Sequence, residues 1–243
     1  MKKMVYITGD IHGNPKRIRT FAERFGLTEG DVIIILGDVG ANYYGDERDE
    51  RTKKELSSIN STILCIHGNH EMRPWEATDY TLRDWNGGKV WTQQQYQNLL
   101  FAKDGEIYLI DGVRYLAVGG AYSIDMRWRI LHRAGWWASE QPTDDIKKYV
   151  ERQVQDNHVD VILSHTCPRK YEPLEAFISS IDQKMVDKST EDWLDTIEEM
   201  ADYKAWYCGH WHINKDIDKM HFLFETWKME YNDNYGSVVW PKE

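Results

Sequence analysis

Eight side chains of the kinds that bind metal ions stand in five short blocks, each placed directly after an apolar run. The blocks read Gly9-Asp10-Ile11-His12-Gly13, Gly37-Asp38, Gly68-Asn69-His70-Glu71, Ser164-His165 and Gly209-His210-Trp211-His212. Their carboxylate, amide and imidazole donors exceed what one metal ion needs. The set therefore predicts a site for two ions.

The donor types also restrict the metal and the chemistry. A mixed nitrogen and oxygen set without thiolate suits manganese, which we predict first, with iron or zinc as alternatives. Two divalent or trivalent ions about 3.5–4 Å apart clamp a phosphoryl group during in-line displacement. Asp38 is the natural bridge, because it is the only acid in its block and Gly37 allows a close backbone turn. The expected nucleophile is a metal-bound hydroxide, since a divalent ion lowers the pKa of bound water, to roughly 7 in the best zinc cases.

In this order, from residue 9 to residue 212, the five blocks resemble the calcineurin-like metallophosphoesterase family. The resemblance implies that one metal is bound by Asp10, His12 and His212, that the other is bound by Asn69, His165 and His210, and that Asp38 bridges them. It also implies that His70 protonates the leaving oxygen, a role that suits an imidazole with a pKa of about 6.5. Taken singly, the blocks have other interpretations. A lone Asp-x-His after a strand is more often a turn with a solvated acid, and His210 and His212 could be alternating residues of a strand. Gly-Asn-His-Glu could be a turn with a helix N-cap.

One departure from the family pattern bears on the substrate. Protein phosphatases of this family continue the second block into Asp-Arg-Gly, whereas here Val39-Gly40-Ala41-Asn42 follows Asp38. The missing arginine weakens a phosphoprotein interpretation. Arg73 is a candidate to replace it, and a solvated turn residue is the alternative.

A stretch rich in arginine and tryptophan, around residues 121–143, is the longest predicted irregular insertion. Its cations and aromatic rings suit a phosphate attached to a flat group. We predict that at least one of Arg127 and Arg129 contacts the substrate. The alternative is that the tryptophans only anchor the loop against the body of the protein.

Length and composition predict that residues 1–243 form one domain. The cysteine content predicts a reducing compartment, the cytoplasm. The 243 residues are 41% hydrophobic, no run approaches the roughly 18 apolar residues of a membrane span, and the three cysteines show no paired spacing. A net charge of −10 argues against long duplex nucleic acid as a partner. A small phosphoester or nucleotide-like substrate remains compatible with it.

The elements between the blocks predict an α/β fold. A strand at Val5 is followed by a helix that Asn14 caps, with Pro15 at its first position and Gly26 at its end. Asp111-Gly112 marks a hairpin. Later helices are expected over 143–157 and 189–201, the second with a Ser189–Asp192 capping box and an apolar stripe of Trp193, Ile197 and Met200.

Each candidate ligand thus follows a predicted strand, where open α/β sheets bind ligands. The implied architecture, which is also that of the family, is a four-layer sandwich of two mixed sheets packed face to face and flanked by helices. The predicted function is dinuclear, metal-dependent hydrolysis of a phosphomonoester or phosphodiester. A serine/threonine phosphoprotein phosphatase and a non-catalytic protein-binding scaffold are the alternatives.

Overall fold

The computed structural model describes residues 3–231 and 234–238, and within them two β-sheets carry all strands. The strands are β1 Val5–Thr8, β2 Val32–Ile35, β3 Thr62–Cys65, β4 Thr81–Trp85, β5 Gly88–Thr92, β6 Leu99–Ala102, β7 Ile107–Ile110, β8 Val113–Val118, β9 Val161–Ser164, β10 Ala205–Cys208, β11 Lys215–Ile217, β12 Met220–Phe222, β13 Trp227–Tyr231 and β14 Asn234–Val238. The helices are α1 Lys16–Phe25, α2 Glu47–Ser57, α3 Met126–His132, α4 Asp144–Asp156 and α5 Ser189–Met200.

Both sheets are mixed. The first has the order β14-β13-β1-β2-β3-β6-β5-β4, and the second has the order β11-β12-β10-β9-β8-β7. Strands β1, β2, β3 and β6 pair in parallel in the first sheet, and β8, β9, β10 and β12 do so in the second. The carboxyl ends of the parallel strands in each sheet therefore meet at one edge, where the following loops lie together.

Three apolar clusters divide the molecule into layers. Ile34 and Leu64 of the first sheet pack with Ala117 and Leu163 of the second, which forms the core between the sheets. The opposite face of the first sheet packs on α1 and α2, and that of the second sheet packs on α4 and α5. The predicted four-layer α/β sandwich is confirmed.

The structure confirms some of the predicted helix ends and contradicts others. Gly26 ends α1 with a left-handed φ of 62°, as predicted. Pro15 itself occupies the N-cap position, and Asn14 reaches only the Lys16 amide at 3.3 Å. The capping box of α5 is wrong, because Lys188 is its N-cap and the Ser189 amide donates to Asp187. Met200 is 38% exposed, and Leu194 takes its place in the buried stripe.

The irregular segments also differ from expectation. The arginine- and tryptophan-rich insertion contains the short helix α3. The segment 165–188, between β9 and α5, is the longer one and holds only three short 3₁₀ turns. The sequence of this segment predicts no helix or strand, because proline and charged residues interrupt any regular spacing of apolar residues.

Among the described residues, none of the helices combines the length and apolar character needed to cross a lipid bilayer. Cys65, Cys167 and Cys208 are free and buried. Packing therefore explains the three thiols without disulfides.

Candidate metal centre

The five ligand blocks lie at the carboxyl ends of β1, β2, β3, β9 and β10. Because the first three strands are adjacent in one sheet and the last two are adjacent in the other, their loops converge above the inter-sheet core. Residues separated by up to 202 positions thereby come into contact.

Asp10, His12 and His212 form the more exposed group. The Nε2 atoms of His12 and His212 are 2.9 Å apart, and His212 Nε2 is 3.2 Å from Asp10 Oδ2. The two imidazoles are 39% and 47% exposed, whereas the Asp10 carboxylate is buried. Burial raises the pKa of Asp10, but the hydrogen bond from His212 and the nearby imidazoles outweigh it and hold that pKa at about 2. Asp10 is therefore a carboxylate at neutral pH.

Asn69, His165 and His210 form the buried group. Asn69 Oδ1 is 2.8 Å from His165 Nε2 and 3.0 Å from His210 Nδ1. Asp38 Oδ1 lies 3.5 Å from His165 Nε2. Burial lowers the pKa of His210 well below its usual value, and the neighbouring His165 lowers it further. A neutral imidazole with a free lone pair is the form that binds a metal.

The hydrogen bonds around the buried group test whether a cation fits there. His165 Nδ1 donates to the Leu36 carbonyl at 2.7 Å, so its Nε2 carries a lone pair in the neutral ring. Asn69 Nδ2 donates to Ser123 Oγ at 2.9 Å, which turns Oδ1 toward that same lone pair. When the ring is neutral, two acceptors therefore face each other at 2.8 Å, and no hydrogen bond joins them. A cation relieves that arrangement, and the donor set fits one.

Both aspartates approach His165 of the buried group. Atoms of Asp10, Asp38 and His165 come within 4.8 Å of one another, as do atoms of Asp10, His12 and His212. Asp10 thus belongs to both candidate sets. Sequence reasoning assigned the bridging position to Asp38 alone, and the geometry makes Asp10 a second candidate for it.

The ligand loops are locally strained. His12, Asp38, His210 and His212 all have φ between 45° and 65°, a left-handed region that residues other than glycine seldom occupy. Such strain persists where surrounding structure imposes it, and it concentrates at functional sites.

Two glycines explain why the blocks pack so closely. A Cβ added at Gly68 would overlap Asp38 Oδ1, and one added at Gly209 would overlap Asp10 Oδ1. The glycine before each ligand therefore leaves the space that a carboxylate from another block occupies.

A second layer of polar residues orients the ligands, and sequence reasoning missed most of it. Ser123, which receives the Asn69 amide, also accepts from Arg129 Nη1 at 2.9 Å. The Ser123 amide in turn donates to Glu140 at 3.1 Å. On the other side, Arg17 Nη2 donates to the carbonyls of Gly9 and Asp10 at 2.7 and 3.0 Å. No short motif marks these residues.

The three arginines proposed to contact the substrate differ in burial and in hydrogen-bond partners. Arg73 is 1% exposed and forms a buried ion pair with Asp104, and its Nε donates to the Ser139 carbonyl, so it is not a replacement for the phosphate-gripping arginine. Arg129 is also 1% exposed, and its Nε donates to the Gly135 carbonyl. Burial and these protein partners argue against a substrate contact by Arg73 or Arg129. That at least one of Arg127 and Arg129 contacts the substrate stays a prediction. Arg127 is exposed and lines none of the cavities described below.

His70 lies beside the candidate metal ligands at the edge of the site. Its amide donates to Asp38 Oδ1 at 2.8 Å, and its ring meets the His12 ring edge-on at 5.8 Å. Burial lowers the pKa of His70, Asp38 raises it, and Arg129 lowers it again, with a net lowering. An imidazole in this position is more acidic than a free one, so it releases a proton more readily.

The site opens into a cavity of about 470 Å³, a size that accommodates a small organic ligand. His12, Asp38, Asn69, His70, His210 and His212 line its floor. The segment 165–188 forms much of its wall.

Comparison with known proteins gives a family and a fold. The sequence model described as calcineurin-like phosphoesterase matches residues 3–214. No curated protein matches the chain in sequence. The crystal structure of TT1561 of Thermus thermophilus superposes with a TM-score of 0.56 at 11% identity, covering 98% of this chain and 99% of that one.

Two further solved structures are less similar. Phosphopantetheinyl hydrolase (PptH) from Mycobacterium tuberculosis gives a TM-score of 0.47 at 13% identity, covering 92% of this chain and 88% of that one. The calcineurin-like phosphoesterase YfkN from Bacillus subtilis gives 0.39 at 12% identity, covering 97% and 88%.

Proposed function

The chain belongs to the calcineurin-like phosphoesterase family, and we therefore propose that it hydrolyses a small phosphoester with two metal ions held by Asp10, His12, Asp38, Asn69, His165, His210 and His212. The observation that carries the proposal is the pair of facing acceptors, Asn69 Oδ1 and His165 Nε2, 2.8 Å apart. Such a contact has no use in an apolar core, and it suits a cation.

Two cations bound there would activate water and neutralise the phosphoryl oxygens. Groups of the chain itself orient the candidate ligands and supply the proton. The Leu36 carbonyl and Ser123 hold His165 and Asn69 in the orientation that presents their lone pairs. The His70 imidazole delivers a proton to the leaving oxygen, and its backbone link to Asp38 keeps it beside the site.

The alternatives gain less support. A phosphoprotein phosphatase needs a cation that grips the phosphate, and Arg73 and Arg129 are both engaged with protein partners. A non-catalytic scaffold has no need for seven metal-binding side chains with their orienting partners. Manganese is proposed as the first metal to test, and the three free, buried cysteines support a reducing compartment such as the cytoplasm.

Metal-free protein should be titrated with Mn²⁺, Fe²⁺ or Zn²⁺ and assayed on p-nitrophenyl phosphate, bis(p-nitrophenyl) phosphate and a phosphopeptide. We expect metal-dependent hydrolysis of at least one nitrophenyl ester and binding of two ions per chain. Hydrolysis of the phosphopeptide alone would favour the phosphatase alternative. Binding of two ions without any hydrolysis would favour the scaffold.

The role of His70 has its own test. We expect His70→Ala to slow hydrolysis of a phenyl ester by about 10²–10⁴-fold, the usual contribution of a general acid, and to slow hydrolysis of a nitrophenyl ester much less. The reason is that nitrophenolate leaves without a proton. His132→Ala, on the exposed surface of α3, is the control. Equal losses on both esters would contradict the acid role.

A further inference from the structure

Two cavities adjoin the candidate metal site. The cavity of about 470 Å³ and a second one of about 220 Å³ share His12 and His70 as lining residues. The second cavity shares Tyr43 and Tyr44 with a third of about 490 Å³. A phosphate bound beside His12 and His70 thus has room for a substituent in two directions.

The first cavity has an apolar wall. Phe177 stacks on Trp211, with ring centroids 5.7 Å apart and planes at 28°, and Ile178 and Val186 extend the same surface. Lys188 lies over the Phe177 ring at 4.7 Å, but Glu172 neutralises it at 2.7 Å. This wall suits an uncharged, apolar substituent.

The cleft on the other side is aromatic and basic. Tyr43 lies nearly parallel to the His70 ring at 6.0 Å, and its hydroxyl is fixed by the Ala134 carbonyl at 2.9 Å. Tyr44 is 42% exposed. Arg48 lies over the Tyr44 ring at 3.6 Å and pairs with Asp46. Arg133 lines the third cavity, and the described residues provide no carboxylate within ion-pair distance of it. This cleft suits a flat ring, with a cation at its far end.

We infer that the substrate is a phosphodiester with two organic arms, an apolar arm against Phe177 and Trp211 and an aromatic arm against Tyr43 and Tyr44. The inference rests on the proposed function and narrows its substrate class. A phosphomonoester has one organic arm and leaves one cavity without contact. Hydrolysis breaks the phosphorus–oxygen bond to one arm and forms a bond from phosphorus to the oxygen of water. His70 passes a proton to the departing oxygen, and the proton that the water gives up restores His70. The products are a phosphomonoester and an alcohol.

Three esters with the same leaving group separate one arm from two: p-nitrophenyl phosphate, methyl p-nitrophenyl phosphate and bis(p-nitrophenyl) phosphate. The variants Phe177→Ala and Tyr44→Ala each shorten one wall, and Trp128→Ala removes a 57% exposed ring that lines none of the cavities. We expect each wall variant to lower kcat/KM for the bis ester about tenfold, mainly through KM. With the methyl ester only one of the two variants should matter, because the methyl arm does not reach the opposite wall.

Binding supplies a readout that does not depend on turnover. We expect diphenyl phosphate, titrated calorimetrically into metal-loaded His70→Asn protein, to bind about tenfold more weakly when either wall is shortened. The Trp128→Ala protein should bind it unchanged.

The outcomes separate the two proposals. Wild-type kinetics and binding in both wall variants, or a higher kcat/KM for p-nitrophenyl phosphate than for the bis ester, would overturn the two-arm inference while leaving phosphoester hydrolysis intact. Absence of hydrolysis of all three esters would overturn the proposed function, and weakened diphenyl phosphate binding in the wall variants would still support the two arms.

Discussion

Replacing Ser123 with alanine should weaken metal binding at the buried group without touching a ligand. Ser123 Oγ accepts from Asn69 Nδ2 at 2.9 Å, and both residues are almost fully buried. Without that acceptor, the amide gains by rotating so that Nδ2 faces His165 Nε2, where Oδ1 now lies 2.8 Å away. A donor in that position satisfies the histidine lone pair and competes with a metal ion.

The expected size follows from the hydrogen bond that is lost. A buried donor without a partner costs about 1–3 kcal/mol, and a metal must reverse the rotation to bind. The range corresponds to a loss of about 5- to 150-fold in affinity, since 1.4 kcal/mol is about tenfold. Loss of a hydrogen bond that orients a metal ligand commonly has an effect of about 10–100-fold.

Calorimetric titration of metal-free protein with Mn²⁺ measures this effect directly. Ser61→Ala is the matched control, because Ser61 is also buried but lies before β3, at the opposite end from Asn69. We expect one of two binding events to weaken in Ser123→Ala and neither to weaken in Ser61→Ala. Wild-type affinity for both ions in Ser123→Ala would refute the orientation argument.

Three further predictions concern residues around the site. Arg129→Lys should lower the number of metal ions bound per chain, because a lysine cannot donate to both Ser123 and the Gly135 carbonyl. Elemental analysis measures this number. The control Arg127→Ala changes an exposed residue two positions away and should leave the number unchanged. Gly209→Ala should lower the free energy of unfolding by about 1–3 kcal/mol, since the added Cβ overlaps Asp10; a normal denaturant midpoint would argue against that packing. Burial raises the pKa of Glu191 from its ordinary 4.5 to about 7, so the folded metal-free protein should lose up to about 3 kcal/mol of stability as pH rises from 4.5 to 8. That loss should be absent from Glu191→Gln, and identical pH profiles would contradict the shift.

Short-range sequence signals are sufficient to predict much of the site. An apolar run followed by glycine and a polar residue indicates a strand that ends in a tight loop, and parallel strands bring such loops to one edge. The positions of Asp10, Asn69 and His210 after their strands follow from that rule. Gly26 and the Asp111-Gly112 hairpin were predictable for a similar reason, because left-handed backbone favours glycine and aspartate.

Arginine roles were not predictable in the same way. The local sequence around Arg73 is that of a solvated turn, and the sequence around Arg129 is that of an exposed basic loop. Their burial depends on Asp104, 31 residues from Arg73, and on the packing of the insertion against the Asn69 loop. A guanidinium group is equally suited to a phosphate and to a buried carboxylate.

The sequence by itself determined the layered fold and the chemical character of the candidate metal site. The hydrophobic runs determine the strands and helices, and the polar residues directly after the runs determine the donor types. The tertiary structure alone showed which candidate ligands lie close together, which hydroxyl orients Asn69, and which segment lines the cavity. Those features depend on contacts between residues 54 to 202 positions apart, such as Asn69 with Ser123 and Asp10 with His212. Local sequence propensity does not predict such contacts, since they form only when the two sheets pack and bring the strand ends together.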